Sequence, residues 1–318
     1  MNRRQFNKVA AISSLGLSTG INPLGAVNRN AGKGDDSLSV NIFSKHLQFL
    51  GYSEMAKAAA DMGFDGIDLS VRPRGHVEPA NVERDLPVAV EAIVKENLNC
   101  DMMTTAVSDA RDASDVKVLR VAARHGIKFY RTGYYKFTPG KSWKEDMGGF
   151  RQQMGRLSRL NKKLYLHGAY QNHSGFFVGA FIPDVIYLLE GLDPRWSGCQ
   201  YDIRHATVEG GLAWPMGVGW LEKYISTIVI KDFAWSEKDG KNVVVDTPVG
   251  EGIVDFIAYF KLLRKLGIHP VVSLHAEYDL GGAHHGRREL TIPSRDVFKA
   301  LAKDLAMVRD LWKMSGST

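Results

Sequence analysis

The feature that most constrains the fold is a regular alternation of short, β-branched apolar runs with longer segments of helical period. The runs lie at residues 39–44, 66–71, 98–104, 127–131, 164–170, 198–202, 225–231 and 271–276. Helices are predicted between or after them at residues 53–62, 81–96, 113–125, 143–161, 255–266 and 294–313. Eight strand–helix units without a linker favour a single-domain (β/α)8 TIM barrel over residues 38–313.

A doubly wound open sheet is the alternative architecture, since it also alternates strands with helices. Such a sheet usually binds phosphate through a Gly-rich loop after an early strand. The chain contains neither a G-x-G-x-x-G nor a Walker motif. The barrel is therefore the preferred fold.

The basic residues are unevenly distributed along the chain. Its 318 residues include 41 Lys and Arg against 35 Asp and Glu. Arg3, Arg4, Lys8 and Arg29 lie in residues 1–30, which contain no acid, so the remainder carries a formal charge of only +2. A nucleic-acid binder is expected to keep a basic surface. We therefore predict no nucleic-acid partner.

Residues 1–30 have the layout of an export signal. A basic start, MNRRQFNK, precedes a weakly apolar stretch, VAAISSLGLSTG. The string Arg3-Arg4-Gln5-Phe6-Asn7-Lys8 resembles a twin-arginine signal, which implies a periplasmic or otherwise exported protein. An amphipathic N-terminus without a targeting role is the alternative. No Cys lies in this segment and no uninterrupted apolar run reaches about 18 residues, so no stable membrane anchor after processing is predicted.

Polar side chains concentrate where the predicted strands end. Ionisable or His residues follow seven of the eight runs, and only the third run ends without them, in Met103-Thr104-Thr105. The carboxyl ends of barrel strands and their loops form the active site in TIM-barrel enzymes. The candidate substrate-binding residues at these exits are Lys45, Arg72, His76, Asn172, His173, Arg204 and His275.

Three residues are the candidate catalytic groups. Glu277 follows the last predicted strand on the same face as His275, and it could bind a metal, abstract a proton beside a carbonyl or form a rim ion pair. Lys231 could polarise a carbonyl or hold a carboxylate, with a structural ion pair as the alternative. His205 lies three residues after Asp202, and the two could share one cation or one sugar diol, unless Asp202 only caps the next helix.

Together these residues resemble the xylose isomerase-like family of sugar-phosphate isomerases and epimerases. The similarity covers residues 38–312. It rests on Gly63-Phe64-Asp65-Gly66-Ile67-Asp68, Asn172-His173, Asp202 with His205, Ile230-Lys231-Asp232, Gly250-Glu251-Gly252 with Asp255, and Glu277. The resemblance implies a TIM barrel that acts on a carbohydrate.

The resemblance also implies one divalent metal ion, Mn²⁺, Zn²⁺ or Mg²⁺, held by a Glu, an Asp, a His and a second Glu. It places Gln171, Asp202 and Glu277 at three ligand positions, and Val229 stands where the family has the His. Two of the four ligands are thus replaced. The sequence leaves open a rearranged metal site or a site without metal, in which Lys231, His205 and Arg72 would supply the positive charge.

The leading functional hypothesis is an exported carbohydrate isomerase or epimerase that abstracts a proton beside a sugar carbonyl, with Glu277 as the base. A keto-glycoside lyase or hydrolase on the same barrel is one alternative. A non-catalytic sugar-binding protein is the other. The expected partner is a small sugar, and a homo-oligomer is left open.

Overall fold

A computed structural model describes residues 37–316. The export signal predicted at residues 1–30 lies outside this range and stays a prediction. Within residues 37–316, none of the helices combines the length and the apolar character needed to span a bilayer.

Eight parallel strands close into a barrel, as predicted. Numbered along the chain, they are β1 (Val40–Phe43), β2 (Gly66–Val71), β3 (Asn99–Thr105), β4 (Phe129–Arg131), β5 (His167–Gln171), β6 (Ser197–Asp202), β7 (Ile225–Ile230) and β10 (Val271–Leu274). Each pairs with the next in parallel register, and β10 pairs with both β7 and β1 to close the barrel. The (β/α)8 prediction is confirmed, and each observed strand lies within a few residues of its predicted run.

Nine helices of eight or more residues surround the barrel in the described range. They are α1 (Tyr52–Asp61), α2 (Val82–Lys95), α3 (Ala113–Arg124), α4 (Trp143–Leu164), α5 (Ile182–Leu189), α6 (Ile203–Gly210), α7 (Trp214–Leu221), α8 (Phe256–Lys265) and α9 (Ser294–Gly316). The six predicted helices are present. The sequence prediction missed α5, α6 and α7, because helices of eight residues are too short to show a clear helical period.

Local signals explain where the longer helices begin. The side chain of Asp112 accepts hydrogen bonds from the N–H groups of Ser114 and Asp115 at the start of α3. Ser142 and Glu145 form a reciprocal capping box at the start of α4. The apolar faces of these helices pack on the strands in one continuous core, in which Tyr130 and Phe260 are fully buried.

A hairpin that the sequence analysis did not predict is inserted after β7. Its strands, β8 (Asp232–Lys238) and β9 (Lys241–Thr247), are antiparallel. The turn residues Asp239 and Gly240 both have positive φ, 53° and 70°. An Asp-Gly pair between two strand segments is a recognised hairpin signal, so the sequence did carry this information.

Asp232 anchors the base of this hairpin. Its carboxylate accepts hydrogen bonds from the backbone N–H groups of Phe233 (2.9 Å), Gly250 (3.0 Å), Gly252 (3.0 Å) and Val254 (3.1 Å). A Cβ at Gly252 would lie 2.3 Å from the Asp232 Oδ1 atom, so only glycine fits there. The Gly250-Glu251-Gly252 motif is therefore the cradle of a buried carboxylate, while Glu251 itself forms a surface ion pair with Lys303 at 2.6 Å.

We expect Asp232→Asn to lower the free energy of unfolding by about 3 kcal/mol, because the amide supplies one acceptor and introduces a donor facing backbone N–H groups. Urea denaturation of the variant measures this loss. Asp239→Asn, in the exposed turn of the same hairpin, is the matched control and should stay within about 0.5 kcal/mol of the parent. Equal stability of the two variants would contradict the anchoring role.

Candidate active site

The carboxyl ends of the barrel strands, with the residues that follow them, form the mouth of the barrel. Asp202 is fully buried there, at the centre of a cluster of polar side chains. It ends β6, and its Oδ1 atom accepts the N–H of His205 (3.0 Å), which caps α6. Its Oδ2 atom accepts a hydrogen bond from the Gln171 Nε2 atom (2.7 Å) and lies 3.1 Å from the Lys231 Nζ atom. Asp202 thus caps α6 with one oxygen and contacts the polar cluster with the other, so the cap does not exclude the site role, which stays a prediction.

Lys231 and His205 are in direct contact beside this carboxylate. The Lys231 Nζ atom lies 2.8 Å from the His205 Nε2 atom. Burial lowers the pKa of His205 well below its ordinary value, so the ring is neutral and Nε2 accepts from the ammonium group. The other ring nitrogen then donates to the Ser174 Oγ atom, 2.7 Å away. Two of the predicted catalytic residues are therefore brought together.

Glu277 follows β10, which is separated from the Asp202 strand, β6, by β7 alone. The Lys45 Nζ atom donates to its Oε2 atom at 2.7 Å, and the His275 Nδ1 atom lies 3.6 Å from its Oε1 atom. The Glu277 side chain is 24% exposed, whereas that of Asp202 is 0% exposed. Glu277 is thus the carboxylate that a substrate in the mouth can reach.

Charge links the two halves of the site. Burial by itself would raise the pKa of Glu277, but the neighbouring His275 and the charges of Lys45 and Lys231 outweigh it and hold the pKa well below the usual range. For Asp202, too, burial opposes the change, and the charge of Lys231 and the hydrogen bond from the His205 backbone N–H lower the pKa. Lys231 therefore acts electrostatically on both carboxylates, and the mouth behaves as one site.

Other predicted substrate-binding residues make contacts that occupy them. Both polar side-chain atoms of Asn172 bond the backbone of Asp202, at 2.7 and 2.9 Å. Arg204 pairs with Asp246 of β9 at 2.5 Å, and so ties the hairpin to the mouth.

Two predicted histidines differ in their placement. The ring of His173 lies 4.2 Å from that of His205, beside the Asp202 cluster. His76 is buried near Tyr52, with ring centroids 6.3 Å apart, and its two ring nitrogens have no hydrogen-bond partner among the described residues. His76 is thus set apart from the cluster, while His173 belongs to it.

Three residues that were not predicted as site residues line the same mouth. The Tyr134 hydroxyl donates to the Gln171 Oε1 atom at 2.5 Å, and the Arg131 guanidinium lies 4.4 Å from the Tyr134 ring centroid. Asp68 is fully buried in β2, and its Oδ2 atom accepts hydrogen bonds from Ser273 (2.6 Å) and Thr104 (2.9 Å). An acid inside an apolar strand was the available signal for Asp68.

The residues present do not form a donor set for the divalent metal that the family resemblance implies. Val229 is the register partner of both Asp202 and Ser273, and its side chain cannot ligate. The Lys231 ammonium group lies against the Asp202 carboxylate where a cation would bind. Over residues 37–316, no three His, Cys, Asp or Glu side chains are grouped so that they could hold an ion. The divalent metal therefore stays a prediction of the family resemblance.

The fold and this site define a xylose isomerase-like TIM barrel. The chain belongs to that family, because the model of the xylose isomerase-like TIM barrel matches residues 56–301. No curated protein sequence gives a significant match to the chain.

Similar solved structures share the whole barrel at low sequence identity. The 3-keto-D-glucoside 4-epimerase of E. coli is 14% identical, with a TM-score of 0.63 over 85% of this chain and 100% of that one. An L-ribulose 3-epimerase is 13% identical, with a TM-score of 0.65 over 88% of this chain and 96% of that one. The probable 3-DHS dehydratase AsbF of Bacillus anthracis is 14% identical, with a TM-score of 0.62 over 85% and 99%. These similarities establish the fold.

Metal content tests the donor set directly. We expect the purified protein to contain well under one Mn, Zn or Mg ion per chain by elemental analysis, because an ammonium group is held against Asp202 and repels a second cation. Asp202→Asn should leave the metal content unchanged. A stoichiometric ion that is lost in this variant would contradict the expectation.

Proposed function

We propose that the protein is a carbohydrate isomerase or epimerase that abstracts a proton from the carbon beside a sugar carbonyl. The observation that carries the proposal is Glu277, an ionised and partly exposed carboxylate at the carboxyl end of the barrel, hydrogen-bonded to Lys45 at 2.7 Å. Membership of the xylose isomerase-like family supports the same reaction class.

In this mechanism Glu277 takes the proton and neighbouring cations stabilise the charge that develops. Its low pKa keeps the carboxylate ionised at neutral pH but also makes it a weak base. Abstraction then depends on stabilising the enediolate oxygen, which a positive charge in a partly dry site does effectively. Lys45 and Lys231 supply that charge, and returning the proton to another face or carbon completes the reaction.

A keto-sugar, or a glycoside of one, is the proposed substrate class. The carbonyl provides the acidic carbon that the mechanism needs. Among the structural neighbours, a 3-keto-D-glucoside 4-epimerase and an L-ribulose 3-epimerase are named for sugars of this kind. His173, beside His205 at the mouth, uses only its Nδ1 atom, toward the Ser174 carbonyl at 2.8 Å, so its Nε2 atom can accept a hydrogen bond from a sugar hydroxyl.

Solvent-deuterium exchange tests the reaction. Keto-sugars and 3-keto-glycosides are incubated with the protein in D₂O and followed by NMR, and we expect deuterium at the carbon beside the carbonyl. Glu277→Gln should reduce the exchange rate by at least about 100-fold, because the amide cannot accept the proton. Glu251→Gln, a surface glutamate paired with Lys303, is the matched control and should exchange at the parental rate.

The products of the same experiment separate the alternatives. An isomerase or epimerase conserves the mass of the sugar apart from the deuterium. A lyase would release an aglycone or water after the same abstraction, an outcome favoured by the likeness of the fold to a probable dehydratase. If every sugar in the set binds but none exchanges deuterium, the result contradicts the enzymatic proposal and favours a non-catalytic sugar-binding protein.

We also propose that the protein is exported through its N-terminal segment. The paired Arg3 and Arg4 within a basic, acid-free leader support this. Replacing both by Lys should retain the protein in the cytoplasm, as measured by cell fractionation and immunoblotting. Replacing Lys8 by Arg is the control. Periplasmic recovery of the double variant at the parental level would rule out the twin-arginine route.

A further inference from the structure

Two arginines on one wall of the mouth form no ion pair with a carboxylate of residues 37–316. Arg72, after β2, makes no side-chain hydrogen bond or ion pair with any described residue, and its guanidinium rests 5.2 Å from the Phe43 ring centroid. Arg131, at the end of β4, is 4% exposed and donates one hydrogen bond, from Nη2 to the Thr105 carbonyl at 2.9 Å. Its buried Nε atom has no partner among the described residues. A buried guanidinium with an unused N–H is costly unless a ligand completes it.

Both arginines are part of the site that contains Glu277 and Asp202. The Phe43 ring beneath Arg72 stacks on His275 at 4.4 Å, and His275 lies beside Glu277. Arg131 covers Tyr134, whose hydroxyl bonds Gln171, the residue that donates to Asp202. A ligand that bridges the two arginines would therefore lie in the same mouth as the two carboxylates, and would face them from the opposite wall of the barrel.

The charges at the mouth do not balance. Four residues bring positive charge: Lys45, Lys231, Arg72 and Arg131. Three bring carboxylates: Asp68, Asp202 and Glu277. Burial raises the pKa of Asp68, and the hydrogen bonds from Ser273 and Thr104 oppose that rise. The mouth therefore has at least one positive charge in excess, although the chain after residue 30 is nearly neutral.

The arginines also act on each other. Burial and the nearby charge of Arg131 lower the pKa of Arg72 to about 10. Two like charges held close together in a partly dry site repel unless an anion lies between them. Arg204, by contrast, is neutralised by Asp246, so the excess is confined to the wall formed by the ends of β2 and β4.

We propose that Arg72 and Arg131 bind a carboxylate group of the substrate, so that the enzyme acts on an acidic keto-sugar such as a keto-aldonate or a keto-uronide. Guanidinium groups match the planar, two-oxygen geometry of a carboxylate. A carboxylate brings one negative charge, which equals the excess with Asp68 ionised, whereas a phosphate monoester brings nearly two. This inference rests on the proposed function for the location of the reacting carbon.

Calorimetry on the full chain, with matched sugars, tests the binding class. The probes are 5-keto-D-gluconate and other keto-aldonates and uronates, their neutral counterparts such as L-sorbose, and L-sorbose 6-phosphate, whose phosphate stands where 5-keto-D-gluconate has its carboxylate. We expect the acids to bind at least about tenfold more tightly than the neutral sugars, the gain of one charge-assisted hydrogen bond. The substitution Arg72→Gln should weaken acid binding by about 10- to 100-fold and leave the affinity for neutral sugars unchanged.

Two further variants make the result specific. Arg72→Lys keeps the positive charge but lacks the paired N–H donors of the guanidinium group, and it should retain part of the affinity for the acids that Arg72→Gln loses. Arg74→Gln, an exposed arginine in the same loop, should behave as the parent. Because the Arg72 side chain makes no hydrogen bond, its loss should not disturb folding, which circular dichroism can verify.

Two outcomes would overturn the inference. If acids and neutral sugars bind with equal affinity, and Arg72→Gln does not change the affinity for the acids, no carboxylate site exists. Binding of the phosphate ester alone would assign the arginines to phosphate. Deuterium exchange on neutral keto-sugars in either case would leave the proposed reaction standing, while acid binding without exchange would retain the carboxylate site and reject the reaction.

Discussion

Closure of the eight parallel strands is the constraint on which the rest of the structure depends. Because every strand enters the barrel at the same end, every strand exit lies on one rim. The contact between Lys45 after β1 and Glu277 after β10 exists only because β10 pairs with β1. Charged side chains that are more than two hundred residues apart in the sequence are thereby brought together in one partly buried site. Each buried charge there needs a partner of opposite charge or a hydrogen bond. Removing a single partner of a buried ion pair typically costs about 3–5 kcal/mol.

The residues around Asp202 all make the mouth less suited to binding a metal cation. A neutral amide, Gln171, donates to Asp202, and the apolar Val229 lies between Asp202 and Ser273. An ammonium group, Lys231, then satisfies the carboxylate. A cation-binding site needs an excess of negative donors, and these three residues all reduce that excess. With Arg72 and Arg131 added, the mouth is better suited to attract an anion than a second cation.

The sequence predicted the barrel well because buried parallel strands are continuous β-branched runs, readable without three-dimensional information. It also predicted the rim, since polar strand exits follow from the topology. The short helices α5 to α7 were missed because eight residues give too little period. Individual contacts could not be predicted, because they depend on strand register and loop paths that residue spacing does not encode. Examples are the hydrogen bond from Asn172 to the backbone of Asp202 and the contact of Arg131 with the Tyr134 ring.

The neighbours Lys231 and Asp232 show how a mobile side chain becomes a defined part of such a site. A lysine in a loop would lose much conformational freedom on contacting Asp202 and His205. Asp232 removes the backbone part of that cost in advance, because its carboxylate binds four backbone N–H groups and fixes the chain at the end of β7. The Lys231 ammonium then needs only its own side-chain torsions to reach both partners. The surface motif Gly250-Glu251-Gly252 therefore influences the chemistry of the mouth without contacting it, by holding the residue next to Lys231 in place.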